Sequence, residues 1–317
     1  MVALRLLILA AVIGAVQHTL WSGLRDLGRQ HFHFHPAWLV FSGLLYLAAL
    51  LPCGLFWHRV LRAMGEDALR GETLRAYYIG HLGKYVPGKA LVVILRAGLI
   101  RSYRVNAVVA AISVFYETLT MMTVGSFLAA AILAVQLAKY EIPFVVALGS
   151  MVAVGLPTIP PVFRRLIHLM GVTRADPARI EQISRLGYGT LLAGWVLNVI
   201  SWVGMALSLW AVQRSMGLAE PQPWSQLPLC TACVALATVT GFLSMIPSGL
   251  FVRDLVLAQL MYPLVGKSAA LVVALVLRLV WLVAEVLISG ILYLVGPRPS
   301  LARPPSGPSA AAANAPE

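Results

Sequence analysis

The sequence predicts an all-α membrane protein with about six full spans and two re-entrant helical hairpins. Of its 317 residues, 60% are hydrophobic and only 11% are charged, and the mean hydropathy is +0.84. Soluble domains of ordinary composition are much more polar. Six apolar runs reach the roughly 20 residues that a helix needs to cross the hydrocarbon core of a bilayer. Two further apolar regions are interrupted by proline and charge, which predicts the hairpins.

The full spans are predicted where an apolar run continues without a break. The first run begins beside Arg5 and lacks a small-residue cleavage site, so we expect a retained span rather than a signal peptide. The tail, residues 296–317, is rich in Pro, Ala, Ser and Gly and is expected to be disordered. The six runs lie near residues 2–20, 37–57, 107–135, 142–160, 187–211 and 268–295.

The interrupted regions are 74–101 and 227–265, and each contains a proline that the preceding helix cannot continue through. Broken backbone inside lipid is tolerated only where protein or a water-filled cavity covers the exposed amides. Two such breaks, one in each half of a chain, are a sequence sign of the central binding site of a transporter.

Arginine placement predicts the orientation. Cytoplasmic loops carry an excess of Lys and Arg. The basic segments fall on one side of the membrane only if each interrupted region leaves the membrane on the side from which it enters, the first from the cytoplasm and the second from outside. The halves 1–160 and 187–295 then form an inverted repeat joined by a basic cytoplasmic loop, 161–186. This arrangement predicts that both termini lie in the cytoplasm. The arginines that decide it are Arg59, Arg62, Arg70, Arg75, Arg164, Arg165, Arg174, Arg179, Arg185, Arg298 and Arg303.

The first break is a candidate anion site. Lys84 and Lys89 flank Pro87-Gly88, and Arg96 lies two turns into the short helix predicted to follow at 89–101. The first amides of a helix attract anions, so the arrangement suits a phosphate or another anionic headgroup. The alternative is a cytoplasmic turn whose lysines extend to water.

The second break contains Pro247 and Gly249, and a helix is expected to begin near Leu250. Asp254 falls in its first turn, where a carboxylate complements the helix dipole. Arg253 lies in an otherwise apolar stretch and is a candidate headgroup ligand. Phe251 is expected to avoid a positive φ, as bulky side chains do.

Three more ionisable residues lie within predicted spans: Glu117, Arg278 and Glu285. Arg278 and Glu285 share one helix face about 10 Å apart, so each is expected to meet a charge from another element, with Glu117 and the lysines of the first break as candidates. The carboxylates Glu117, Asp254 and Glu285 either fix packing as buried ion pairs or carry a coupling proton. The ionisable residues predicted to lie within the membrane carry more positive than negative charge. This surplus predicts an anionic lipid headgroup as the ligand.

Other ligands are less well supported. No long basic run exists, so nucleic acid is not expected, and no cofactor or metal is predicted. Cys230 and Cys233 lie in an apolar helical run, where cysteine behaves as a small hydrophobe. The alternating His31, His33 and His35 either bind a metal, sense pH or belong to an interfacial loop.

The sequence contains the motif Gly83-Lys84-Tyr85-Val86-Pro87-Gly88-Lys89, followed after a gap by Glu117. A second motif follows, Ile246-Pro247-Ser248-Gly249-Leu250-Phe251-Val252-Arg253-Asp254, and the last span adds an Arg and a Glu. Together these features resemble the lysylphosphatidylglycerol synthase transmembrane domain family. These flippase-like proteins include hopanoid-associated members, and the resemblance covers roughly residues 1–295. It implies functional roles for Lys84, Tyr85, Pro87, Gly88, Glu117, Pro247, Gly249, Arg253 and Asp254. Ser248, Phe251 and Asp254 replace two glycines and a glutamate of the family pattern.

The resulting hypothesis is a flippase or transporter that binds a membrane lipid between the two breaks. The alternative is a membrane transferase or an accessory subunit in lipid-linked sugar, polyprenol or hopanoid biosynthesis, with lipid-biosynthesis enzymes as partners. The sequence contains no Asp-Asp or Asp-x-Asp pair, which argues against a metal-dependent transferase. The identity of the lipid, the direction of transport and the oligomeric state stay open.

Overall fold

The structure, a computed structural model, describes residues 34–85, 90–102, 104–136, 155–169, 185–219, 222–244, 246, 249 and 251–295. This part of the chain forms nine α-helices and two single-turn 3-10 helices, Leu82–Tyr85 and Leu156–Thr158, and it contains no β-strand. The α-helices are α1 (Pro36–Ala63), α2 (Arg70–His81), α3 (Ala90–Ile100), α4 (Ala107–Gln136), α5 (Pro160–Leu169), α6 (Tyr188–Ser215), α7 (Leu227–Leu243), α8 (Val252–Val265) and α9 (Lys267–Val295).

Four of the described helices, α1, α4, α6 and α9, are long and apolar enough to cross a bilayer. They coincide with four of the six predicted spans. The predicted span near 2–20, the first part of the one near 142–160 and the tail 296–317 lie outside the described residues. The all-α class is confirmed, and the structure leaves the number of spans as a prediction.

Each interrupted region forms two helices that pack against each other across a short connection. In the first region α2 passes through the 3-10 turn and the chain returns as α3. Gly83 permits this return, because a Cβ at Gly83 would lie 2.9 Å from the backbone nitrogen of Val92. In the second region α7 and α8 approach as closely: a Cβ at Gly249, whose φ is +59°, would lie 2.7 Å from the Cα of Gly241.

Two local expectations need correction. The first nine residues of the predicted loop 161–186 belong to α5, because Phe163 and Ile167, one helical turn apart, are buried. Phe163 packs edge-to-face on Tyr116 of α4, with ring centroids 4.6 Å apart. The expectation that Phe251 avoids a positive φ is wrong, since its φ is +71°. The Asp254 carboxylate accepts the Phe251 N–H at 3.4 Å and so supports this turn.

Helices α1 and α6 run antiparallel along their whole length. The His35 N–H donates to the Ser215 carbonyl at one end (2.9 Å), and Ser42 donates to the Ser208 carbonyl further along (2.8 Å). Small residues bring the two backbones together, as is common between membrane helices. A Cβ at Gly204 of α6 would lie only 2.7 Å from the Ala49 Cβ of α1.

The helix contacts repeat when the two halves are exchanged. If α1–α4 are matched in order with α6–α9, every extensive contact between these helices has a counterpart. The α1–α6 contact is its own counterpart, because the exchange replaces α1 by α6 and α6 by α1. The other matched contacts are α1–α2 with α6–α7, α2–α3 with α7–α8, α3–α4 with α8–α9, α2–α9 with α7–α4, α1–α9 with α6–α4, and α1–α4 with α6–α9.

Candidate functional site

A cavity of about 490 Å³ lies where the two helix pairs meet. All described α-helices except α5 contribute to its wall, and most of the wall is apolar. The connections of both pairs reach the cavity, through Lys84 on one side and Ile246 and Gly249 on the other. Its polar and ionisable lining residues are Tyr46, Tyr77, His81, Lys84, Arg96, Glu117, Thr118, Thr238 and Arg253.

The most buried charges that line the cavity are Arg96 of α3 and Glu117 of α4. The Arg96 Nη1 donates to Glu117 Oε2 at 2.8 Å, and the two side chains are 3% and 2% exposed. The guanidinium lies 3.9 Å from the ring centroid of Tyr77, whose hydroxyl donates to the other carboxylate oxygen at 3.4 Å. Because each charge is matched by its partner, this pair fixes α2, α3 and α4 against one another.

A second pair joins Lys84, in the 3-10 turn after α2, to Glu285 of α9. The Lys84 Nζ donates to Glu285 Oε1 at 2.5 Å, and the Tyr46 hydroxyl donates to the same oxygen. Lys84 is 22% exposed and lines the cavity, whereas Glu285 is 1% exposed and lies behind the wall. The ammonium is therefore the member of the pair that a ligand can reach.

His81 lies between these two pairs, and no role was predicted for it from the sequence. Its Nδ1 is 3.3 Å from Arg96 Nη2, and its Nε2 is 3.4 Å from the Tyr46 hydroxyl and 3.7 Å from Glu285 Oε1. A guanidinium only donates, so Nδ1 accepts and the ring hydrogen is on Nε2. The available sequence signal was its position three residues before Lys84, one helical turn away.

A third pair, Arg278 of α9 and Asp254 of α8, lies outside the cavity lining. Asp254 also accepts the Phe251 N–H in the first turn of α8. The pair thus holds α8 against α9 at the point where α8 begins.

Arg253 differs from the other cations. Its guanidinium lies 4.3 Å from the centroid of the Trp281 ring, and Trp281 is stacked on Tyr46 with ring centroids 4.1 Å apart. Among the described residues, no carboxylate lies within ion-pair distance of Arg253. The cavity therefore presents a guanidinium whose charge the described carboxylates do not neutralise.

The predicted site residues are distributed in three groups. Lys84, Arg96, Glu117, Gly249 and Arg253 line the cavity, although they come from positions up to 169 residues apart in the chain. Tyr85, Asp254, Arg278 and Glu285 lie outside its lining. Pro87, Gly88, Lys89 and Pro247 fall outside the described residues, as do His31 and His33.

Metal ligation finds no support in the described part of the chain, where no three His, Cys, Asp or Glu side chains form a metal-binding group. Cys53, Cys230 and Cys233 are buried free thiols. Cys53 instead donates to Ser201 at 3.0 Å within the α1–α6 interface.

Four long apolar helices around a charged internal cavity define an integral membrane protein. Residues 2–289 match the family described as the lysylphosphatidylglycerol synthase TM region, so the chain belongs to that family. This match confirms the resemblance seen in the sequence motifs and supports a role in lipid-related processes. Neither a curated protein nor a solved structure matches the chain.

Proposed function

We propose that this protein binds the anionic headgroup of an amphiphilic lipid in the cavity and moves that lipid between the two leaflets. The observation that carries the proposal is Arg253, a guanidinium without a described carboxylate partner that shares an apolar cavity with Lys84. A charge inside the membrane is costly and usually functional. An anionic headgroup between Arg253 and Lys84 would neutralise the positive charge of Arg253.

The shape of the cavity supports a lipid rather than a fully enclosed ligand. Its volume of about 490 Å³ is in the range of about 300–1,000 Å³ that is typical of small-molecule sites. Phe115 lines the cavity and is also 38% exposed at the surface of the helix bundle. In this proposal the headgroup occupies the cavity while the acyl chains pass Phe115 and remain in the bilayer.

The proposed architecture has six spans and two re-entrant hairpins, α2–α3 and α7–α8, in an inverted repeat. The antiparallel α1–α6 pair and the exchange of helix contacts between halves support the inversion. By the arginine distribution, the first hairpin enters from the cytoplasm and the second from the outside of a bacterial inner membrane, with both termini cytoplasmic. The two breaks then meet near the bilayer midplane, where transporters of this design bind substrate.

Each charged residue has a distinct role in the proposal. Lys84 and Arg253 contact the headgroup, whereas Arg96 is occupied by Glu117 and maintains the wall behind it. Arg278 and Asp254 fix α8, which carries Arg253, to α9. The lipid itself is the only partner that this mechanism requires.

Lipid movement can be measured directly with purified full-length protein in liposomes that contain a fluorescent phosphatidylglycerol. Dithionite destroys the fluorescence of the outer leaflet, so transport raises the quenched fraction above that of empty liposomes. We expect Lys84→Ala and Arg253→Ala to reduce the quenching rate at least tenfold. Arg62→Ala, which removes an exposed arginine paired with Asp67, is the matched control and should retain the wild-type rate.

Two results would contradict the proposal. One is wild-type quenching no faster than that of empty liposomes for phosphatidylglycerol and other anionic lipids. The other is transport that continues unchanged when both Lys84 and Arg253 are replaced, because the headgroup would then bind elsewhere.

A further inference from the structure

The three carboxylates near the cavity are bonded differently. Both oxygens of Glu117 accept hydrogen bonds, Oε2 from Arg96 and Oε1 from Tyr77. Asp254 is less buried and accepts from Arg278 and from a backbone N–H. Glu285 is 1% exposed, yet its Oε2 has no hydrogen-bond partner in the described part of the chain. A buried carboxylate oxygen without a donor is the arrangement that an ionised carboxyl tolerates least.

Glu285 and a bound anion would need the same ammonium. Lys84 is the only member of its pair that lines the cavity, and its Nζ is held 2.5 Å from Glu285 Oε1. A headgroup that binds Lys84 must therefore weaken that contact. The carboxylate left behind would remain buried, since it is 1% exposed and does not line the cavity. Such a group takes up a proton rather than keeping an unpaired charge.

We propose that anion capture at Lys84 is coupled to the uptake of one proton by Glu285. The headgroup replaces the Glu285 carboxylate as the partner of the Lys84 ammonium, and the proton binds a Glu285 oxygen. One negative and one positive charge enter together, so the net charge of the site does not change, and both leave together on release. This inference rests on the proposed function, because it requires that an anion binds Lys84.

The surroundings of Glu285 favour Glu285 over His81 as the proton acceptor. The His81 ring already carries its hydrogen on Nε2, facing Tyr46 and Glu285. A second hydrogen on Nδ1 would point at the Arg96 guanidinium, which cannot accept it. The ionisable side chains that face Glu285 are Tyr46 of α1, His81 of α2, and Lys84 and Tyr85 of the 3-10 turn. The positive charges of Arg253 of α8 and Arg278 of α9 act on Lys84 and Tyr85 from the neighbouring helices.

The test is calorimetric titration of the full-length protein in detergent with dihexanoyl phosphatidylglycerol. This phosphodiester keeps a single negative charge from about pH 5.5 to about pH 8.5, so the ligand contributes no proton of its own. Uptake of one proton predicts that Kd rises by up to about tenfold for each pH unit. Repeating the titration in buffers of different ionisation enthalpy counts the protons directly, and we expect a value near one.

Glu285→Gln keeps the size of the side chain and removes its charge. We expect this variant to bind with a Kd that no longer depends on pH and with no proton uptake. The matched control is Asp67→Asn, which removes an exposed carboxylate from the pair with Arg62 and should retain the wild-type pH dependence.

The outcomes separate the two proposals. Wild-type binding without pH dependence or proton uptake would overturn the coupling and leave lipid binding intact. Uptake that persists in Glu285→Gln would overturn the assignment to Glu285. No binding by the wild type at any pH would reject both. The proton count of the wild type decides the coupling even if Glu285→Gln fails to fold.

Discussion

The guanidinium of Arg253 lies 4.3 Å from the ring centroid of Trp281, at the wall of the central cavity. This cation–π contact orients the guanidinium but leaves its positive charge available, unlike a carboxylate partner. The other cavity cations, Lys84 and Arg96, each have a carboxylate at 2.8 Å or less. An incoming anion therefore meets Arg253 with no described counter-ion to displace.

Replacing Trp281 by Leu should weaken anion binding, because Arg253 loses the ring that orients it. A cation–π contact is worth about 0.5–2 kcal/mol, so we expect Kd for dihexanoyl phosphatidylglycerol to rise between about twofold and thirtyfold. Trp38→Leu is the matched control, since Trp38 lies 6.0 Å from Arg214 and away from the cavity. Equal effects of the two substitutions would mean that Trp281 acts only through packing.

Glu117→Gln should destabilise the fold, because it leaves Arg96 as a buried charge without its partner. Breaking a buried pair costs about 3–5 kcal/mol, which thermal unfolding in detergent would register as a large fall in Tm. Combining Glu117→Gln with Arg96→Met should recover much of the loss. Asp67→Asn, in an exposed pair, should change stability by about 0–1 kcal/mol. A single variant as stable as wild type would show that the pair does not hold these helices together.

Phe251→Gly should stabilise the protein by about 1–3 kcal/mol, since a bulky residue at φ +71° is strained and glycine is not. Gly249→Ala should act in the opposite direction, because that position also has a positive φ and its Cβ would meet the backbone of Gly241. The comparison of Tm values tests the turn itself. A fall in Tm for Phe251→Gly would indicate that packing of the phenyl ring outweighs the backbone strain.

Gly204→Ala should loosen the α1–α6 interface, because its Cβ would lie 2.7 Å from that of Ala49. Overpacking of this kind costs typically about 1–3 kcal/mol. Gly189→Ala, near the start of the same helix, meets no atom within 4 Å and should be neutral or stabilising by up to about 1 kcal/mol. If both variants melt at the wild-type temperature, α1 and α6 do not pack as closely as described.

The long helices could be predicted because length and hydropathy alone define them. Helices α1, α4, α6 and α9 coincide with predicted spans, and both predicted breaks divide a region into two helices. Helix α5 was missed, since Arg164 and Arg165 gave its segment the composition of a loop. Its buried face consists of only three residues, Pro160, Phe163 and Ile167.

The sequence also indicated which charges belong to the membrane, but it predicted only part of their pairing. Arg278 had Glu117 among its candidate partners, and it contacts Asp254 instead. For Glu285 the lysines of the first break were among the candidates, and Lys84, 201 residues away in the chain, does contact it. His81 was overlooked because its significance comes from Arg96 and Tyr46, which only tertiary packing places beside it.

The close packing of α1 against α6 has a mechanical consequence. The two helices contact each other through glycine, alanine and serine, so a shift of one helix along the other would press a side chain against the partner's backbone. The α1–α6 pair therefore behaves as a rigid unit. Under the proposed function, we expect a change in access to the cavity to come from movement of the helix pairs α2–α3 and α7–α8 relative to α1 and α6. A crosslink between α1 and α6 should therefore leave the proposed lipid transport unchanged, whereas a crosslink between the α2–α3 pair and the α7–α8 pair should stop it.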